Sequence, residues 1–241
     1  MSTSGFLGAL AIGLVLGVRH ALEPDHLIAV STIASRSRTL RRAALAGVFW
    51  GLGHTLALLA VGLTLVLLRG ELPATWSLGF ELAVGAMLVY LGLGGLVGRW
   101  HGDTHVHEHV HDGEAHRHYH GHPHTADRAR HAHAHDTSYR RSTLVGVLHG
   151  MAGSAAVALL GMSATANAWQ AAAYVLVFGA GTVIAMLAST ALIGLPFVAA
   201  PERTWVHRAL ARATGATSAV YGCYYTYHVG AAHGLFSLWS R

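Results

Sequence analysis

The residues most able to do chemistry crowd into one stretch, Arg19-His20-Ala21-Leu22-Glu23-Pro24-Asp25-His26, in which five of eight side chains are ionisable. Imidazole and carboxylate together suit a borderline divalent cation such as Ni²⁺, Co²⁺, Zn²⁺ or Cu²⁺. Spacing alone does not assemble them. On a regular helix Asp25 would lie about 140° around from His20, and His26 about 240°, so the three would not face one cavity. Pro24 changes this, because it offers no N–H and its ring clashes with the carbonyl four residues back. A break there would turn His20, Asp25 and His26 toward a common point and free backbone carbonyls. The competing reading makes Asp25 and His26 helix-capping groups near an interface, with Arg19 paired to Glu23 one turn on.

Two further imidazoles stand in apolar surroundings. His54 lies in Gly51-Leu52-Gly53-His54-Thr55, where the glycines allow a neighbouring helix close, and Thr55 adds a hydroxyl. His149 precedes Gly150, Ala152, Gly153 and Ser154, a small-residue face suited to helix packing. Glu81 opens an apolar stretch where an interfacial place is its default, and His228 and His233 could line an entrance.

The elements that must position these groups are membrane helices. Of 241 residues, 53% are hydrophobic and 11% charged, against about 25% charged in ordinary soluble domains. Apolar runs of the roughly 20 residues that cross a bilayer recur along the chain, and its 29 glycines fit close helix packing. The fold class predicted is all-α: a polytopic membrane protein with spans at 5–35, 43–68, 77–98, 143–162, 168–198 and 213–236, the first broken at Pro24. Met1 to Ser4 carry no positive charge, so the first span is read as retained rather than as a cleaved signal. Ionisable residues inside such spans are costly and by default mark an ion path.

All the positive side-chain charge apart from histidine is arginine, since the chain has no lysine. Arg36, Arg38, Arg41 and Arg42 fall between the first two spans. Arg99, Arg117, Arg128, Arg130, Arg140 and Arg141 follow the third, and Arg203, Arg208 and Arg212 lie around the fifth connection. The other side has Arg69 and Arg241. Thirteen against two predicts that the rich loops are cytoplasmic and both termini outside, in a bacterial cytoplasmic (inner) membrane. Orientation explains the basic balance, so nucleic acid is not expected as a partner. The lone Cys223 forms no internal disulfide.

Two halves are legible. Gly17-Val18-Arg19-His20 is echoed by Gly146-Val147-Leu148-His149, and the stretch from Val48 to Thr55 by Val177-Phe178-Gly179-Ala180-Gly181-Thr182, at offsets of 129 and about 128 residues. Three spans per half predicts an inverted repeat, as in many secondary transporters, with residues 1–98 and 143–241 as the two units. Between them, 99–142 is a His-rich loop expected to lack a packed structure. Thirteen of the 20 histidines lie there, and His105, His107, His109, His111, His116, His118, His120, His122 and His124 are candidates for metal capture. No Gly-x-Ser-x-Gly elbow is present, no Walker-type lysine exists, and no helix carries His-Glu-x-x-His. An enzyme is therefore not expected.

The run Arg19-His20-Ala21-Leu22-Glu23-Pro24-Asp25-His26-Leu27 resembles the signature of the nickel/cobalt transporter family, a histidine, four residues, then Asp-His. Leu52-Gly53-His54-Thr55 is similar to that family's second motif, and His149-Gly150-Met151-Ala152-Gly153-Ser154-Ala155 to a segment of short relatives described as nickel permeases or urease-accessory membrane proteins. Where typical members have Asp-Ala, this chain has Glu23-Pro24. The resemblance implies that His20, Asp25, His26 and His54 take part in metal recognition, and that the substrate is Ni²⁺ or Co²⁺ with no resident cofactor. The expected activity is secondary transport of the cation. Two alternatives remain: a non-transporting metallochaperone handing nickel to a urease or hydrogenase maturation protein, and an efflux protein.

Overall fold

A computed structural model describes residues 3–37, 39–68, 72–97, 104–111, 114–121, 137–152, 167–200 and 205–232. Helices α1 (Thr3–Ala21), α2 (Pro24–Ala34), α3 (Leu40–Leu68) and α4 (Ala74–Leu96) make the first half. In the second half, α5 (Thr137–Met151), α6 (Ala168–Ala199) and α7 (Trp205–Tyr227) are described, α7 running into a π-helical turn over His228–Ala232. Among the described residues α1, α3, α4 and α6 are long and apolar enough to cross a membrane. The protein is a polytopic helical membrane protein.

The expected first span is two helices. α1 closes with i→i+3 bonds, Leu22 N–H to the Arg19 carbonyl and Glu23 N–H to that of His20, at 3.1 and 3.0 Å. Glu23 is extended (φ −64°, ψ 149°), the conformation a following proline enforces. Pro24 then occupies the first turn of α2, where its missing N–H costs nothing. The chain breaks just before Pro24, not through it.

Other boundaries move. α7 starts at Trp205, ahead of the expected 213, and includes His207, Arg208 and Arg212. α5 starts at Thr137, inside the expected loop, and the second half of the expected fourth span lies outside the described residues. Within the loop, Thr104–His111 and Glu114–Gly121 pair as antiparallel strands β1 and β2. The alternation His105-Val106-His107-Glu108-His109-Val110-His111 is a period-two pattern. Asp112-Gly113, between the strands, is a favoured hairpin pair. The side chains of the hairpin, and His122 and His124, lie outside the described residues, as does His233.

The two halves contact each other reciprocally. A Cβ on Gly17 of α1 would overlap the Phe178 carbonyl of α6, and a Cβ on Gly146 of α5 would overlap the Trp50 carbonyl of α3. Gly146 follows Gly17 by 129 residues and Phe178 follows Trp50 by 128, so these are one contact made twice. The same exchange relates Gly51 against Val183 and Gly179 against Thr55. It also relates Gly53 against Thr143 and Gly181 against Leu14. Such mutual exchange is what a two-fold axis between two copies requires. The glycines let backbones meet, and dispersion between helices replaces the hydrophobic drive that lipid does not supply.

Two of the arginine-bearing segments, after α2 and in α5, lie near one another. Gly194 near the end of α6 packs on Ala43 near the start of α3. The Arg36 guanidinium, outside the spans, is pushed down to about 10 by burial and by Arg141 of α5.

Candidate metal centre

α2 runs through the middle of the bundle, with Ala29 and Val30 in a core cluster with Trp50, Val84, Leu88 and Met186. Its hydroxyls are satisfied locally: Ser31 donates to the Ile28 carbonyl, Thr32 to Ala29 and Ser35 to Thr32, at 2.7 to 2.9 Å. Against this background the imidazoles at its head stand out.

The helix break brings His20, at the end of α1, and His26, in the first turn of α2, edge to face with ring centroids 4.4 Å apart. His54 enters from α3, 5.1 Å from His20 and 5.5 Å from His26. His149 enters from the end of α5, 4.1 Å from His26 and 6.3 Å from His54. All four rings are buried, between 0 and 3% exposed. One ligand atom from each of His20, His26 and His54 lies within 4.8 Å of the others, and the same holds for Asp25, His26 and His149. The structure thus brings together the five residues His20, Asp25, His26, His54 and His149.

The Asp25 carboxylate accepts from both sides. His26 Nδ1 donates to Oδ1 at 3.2 Å and His149 Nε2 to Oδ2 at 2.8 Å. Glu23 Oε2 lies 3.0 Å from His20 Nδ1 with about half of its side chain exposed. Glu23 therefore turns to His20, and the expected alternative pairing with Arg19 is replaced; Arg19 is exposed. Thr55 donates at 2.8 Å to the Gly51 carbonyl of its own helix and packs on Gly179, a packing role rather than a ligand's.

Among the described residues, both nitrogens of His20 and of His54, Nε2 of His26 and Nδ1 of His149 are buried without a hydrogen-bond partner. Leaving such groups unmade costs about 1–3 kcal/mol each. Buried imidazole nitrogens that converge are what a transition-metal cation collects.

Aromatic walls close the site: Phe178 stands 5.7 Å from the His20 ring and Trp50 5.7 Å from that of His149. Trp50 also stacks on His26 at 6.2 Å. Sequence reasoning had Trp50 and Phe178 only as repeat echoes. Carrying the offset from His20 to His149 through to them would have paired ring with wall. Neither Glu81 nor His228 joins the cluster; His228 lies 5.8 Å from the Tyr224 ring.

Aligned along its whole length, the chain is 42% identical over 241 residues to the urease accessory protein UreH of Bacillus sp. (strain TB-90), covering 100% of both. The chain belongs to the UreH family. Residues 79–224, from α4 into α7, also match the family described as cytochrome C biogenesis protein transmembrane region. That match spans membrane helices and omits His20 to His54. No solved structure matches the chain. Neither description names a catalytic activity.

Proposed function

We propose that the chain is a secondary transporter carrying a transition-metal cation, Ni²⁺ ahead of Co²⁺, across a bacterial cytoplasmic membrane. One observation carries this reading: four buried imidazoles with unpartnered nitrogens meet where α1 breaks into α2, between two reciprocally packed halves. A broken helix between repeats is where secondary transporters build their sites. The halves would rock about it, with Gly17 and Gly146 at equivalent sliding contacts. The relative's name adds urease, a context in which the cation would be nickel and a cytoplasmic maturation protein its recipient.

The test is uptake into proteoliposomes holding the purified chain, with Ni²⁺, Co²⁺, Zn²⁺, Cu²⁺ and Mn²⁺ in competition. Saturable Ni²⁺ flux displaced first by Co²⁺ is expected. The thirteen loop histidines and the word accessory in the relative's name favour a second reading, a membrane metallochaperone. Ni²⁺ binding and hand-over to a maturation protein without flux would establish that reading in place of transport.

A further inference from the structure

Both oxygens of the carboxylate at the centre of this cluster are already engaged by imidazoles. An ionised carboxylate only accepts hydrogen bonds, and a neutral imidazole has one N–H and one bare nitrogen. Both Asp25 oxygens are engaged, Oδ1 by His26 Nδ1 and Oδ2 by His149 Nε2. Those two nitrogens must therefore carry the protons, leaving His26 Nε2 and His149 Nδ1 bare. Both of these nitrogens are buried without a partner.

Building on the transport reading, we propose that Asp25 is an outer-sphere positioning residue that fixes which nitrogen His26 presents, and that the cation is held by the imidazoles of His20, His26 and His54. Carboxylates behind metal-bound histidines commonly set tautomer and ring orientation in this way. Glu23 Oε2 lies 3.0 Å from His20 Nδ1 without a hydrogen bond to it, so both His20 nitrogens are unpartnered and that ring has no such anchor. The proximity of Asp25, His26 and His149 is accounted for by their two hydrogen bonds. His149 lies off the triad: its ring is near His26, but 6.3 Å from His54. Its part is to hold the second oxygen of Asp25 from α5. The ring that binds the cation in the first half is thus oriented by a carboxylate anchored in the second, and movement between the halves changes how His26 is presented.

The experiment uses the full-length chain in detergent with its thirteen loop histidines exchanged for asparagine, so that Ni²⁺ reports on the embedded rings alone. X-ray absorption at the Ni²⁺ edge should fit three imidazoles. With ¹³C-aspartate, infrared difference spectra on adding Ni²⁺ should show no splitting of a carboxylate band of the kind coordination produces. Asp25→Asn should keep three imidazoles and weaken Ni²⁺ affinity about 10- to 100-fold. His149→Gln, whose amide can still donate to Asp25, should bind within about threefold of the parent, while His149→Ala should lose about tenfold. A metal-split carboxylate band that vanishes in Asp25→Asn would overturn the assignment, as would equal losses for His149→Gln and His149→Ala. A parent that binds no Ni²⁺ sinks both this assignment and the transport reading. A parent that binds through three imidazoles but shows no flux in vesicles sinks only transport.

Discussion

Replacing Gly17 with alanine tests whether the close contact between α1 and α6 sets the metal centre. A Cβ there would overlap the Phe178 carbonyl oxygen and stand 2.9 Å from its carbonyl carbon. An ordinary carbon contact needs about 3.5 Å, so the carbon alone demands a retreat of about 0.6 Å and the oxygen demands more. The obstacle is backbone on both sides, so no rotamer relieves it. Overpacking of this kind typically costs about 1–3 kcal/mol. His20 lies one turn further along α1 and would be carried away from His26 and His54. The two-fold relation adds a second arm, because a Cβ on Gly146 would also stand 2.9 Å from a carbonyl carbon, that of Trp50. Gly17→Ala and Gly146→Ala should therefore lower thermal stability in detergent by similar amounts, and both should weaken Ni²⁺ binding. Gly8→Ala, with nothing within 4 Å of its Cβ, serves as the control and should leave both readouts near the parent's. Parent-like melting and affinity for Gly17→Ala would refute the packing argument. A loss in one half with none in the other would refute the equivalence of the two contacts.

His20→Ala, Asp25→Ala and His26→Ala should each abolish Ni²⁺ uptake at matched expression, and wild-type rates for both His20→Ala and Asp25→Ala would remove the cluster from the transport path. Pro24→Ala removes no ligand, so its expected impairment tests whether the break at Glu23 assembles the site; initial-rate uptake in vesicles reads it. His54→Ala should raise the concentration needed for half-maximal uptake more than it lowers the maximal rate. Deleting 101–136 should leave substantial flux while lowering the number of Ni²⁺ ions bound per chain, measured by equilibrium dialysis; a folded, inserted deletion variant with no flux would put the loop on the permeation path. In a Cys223→Ser background, Leu72→Cys should label from outside and Thr39→Cys from inside, and reversed labelling would overturn the orientation drawn from the arginines.

Some of this was legible because it depends on local chemistry. The apolar runs, the arginine asymmetry and Pro24 are read directly: a bilayer demands about 20 apolar residues and proline lacks a donor. The Gly-Val-x-His echo at His20 and His149, with the echo of Val48 to Thr55, also suggested the repeat. What the sequence left open was the direction each side chain faces. Glu23 can pair with Arg19 at one turn's spacing on an unbroken helix, but once the chain turns before Pro24 the carboxylate meets His20 instead. The loop's period-two pattern was present all along; its high polarity suggested an unstructured tether, and strand pairing depends on a partner segment that pattern reading of one strand does not supply.

The sequence by itself determined that this is a membrane protein with imidazoles at a proline-broken helix, because spans and breaks follow from residues within one segment. The tertiary structure alone decided that His149 comes from the other half to share Asp25 with His26, across 124 positions of chain. It also decided that Trp50 and Phe178 wall equivalent sides of the site. Those relations depend on how closely glycine-faced helices approach, and that distance is fixed only when both partners are packed together.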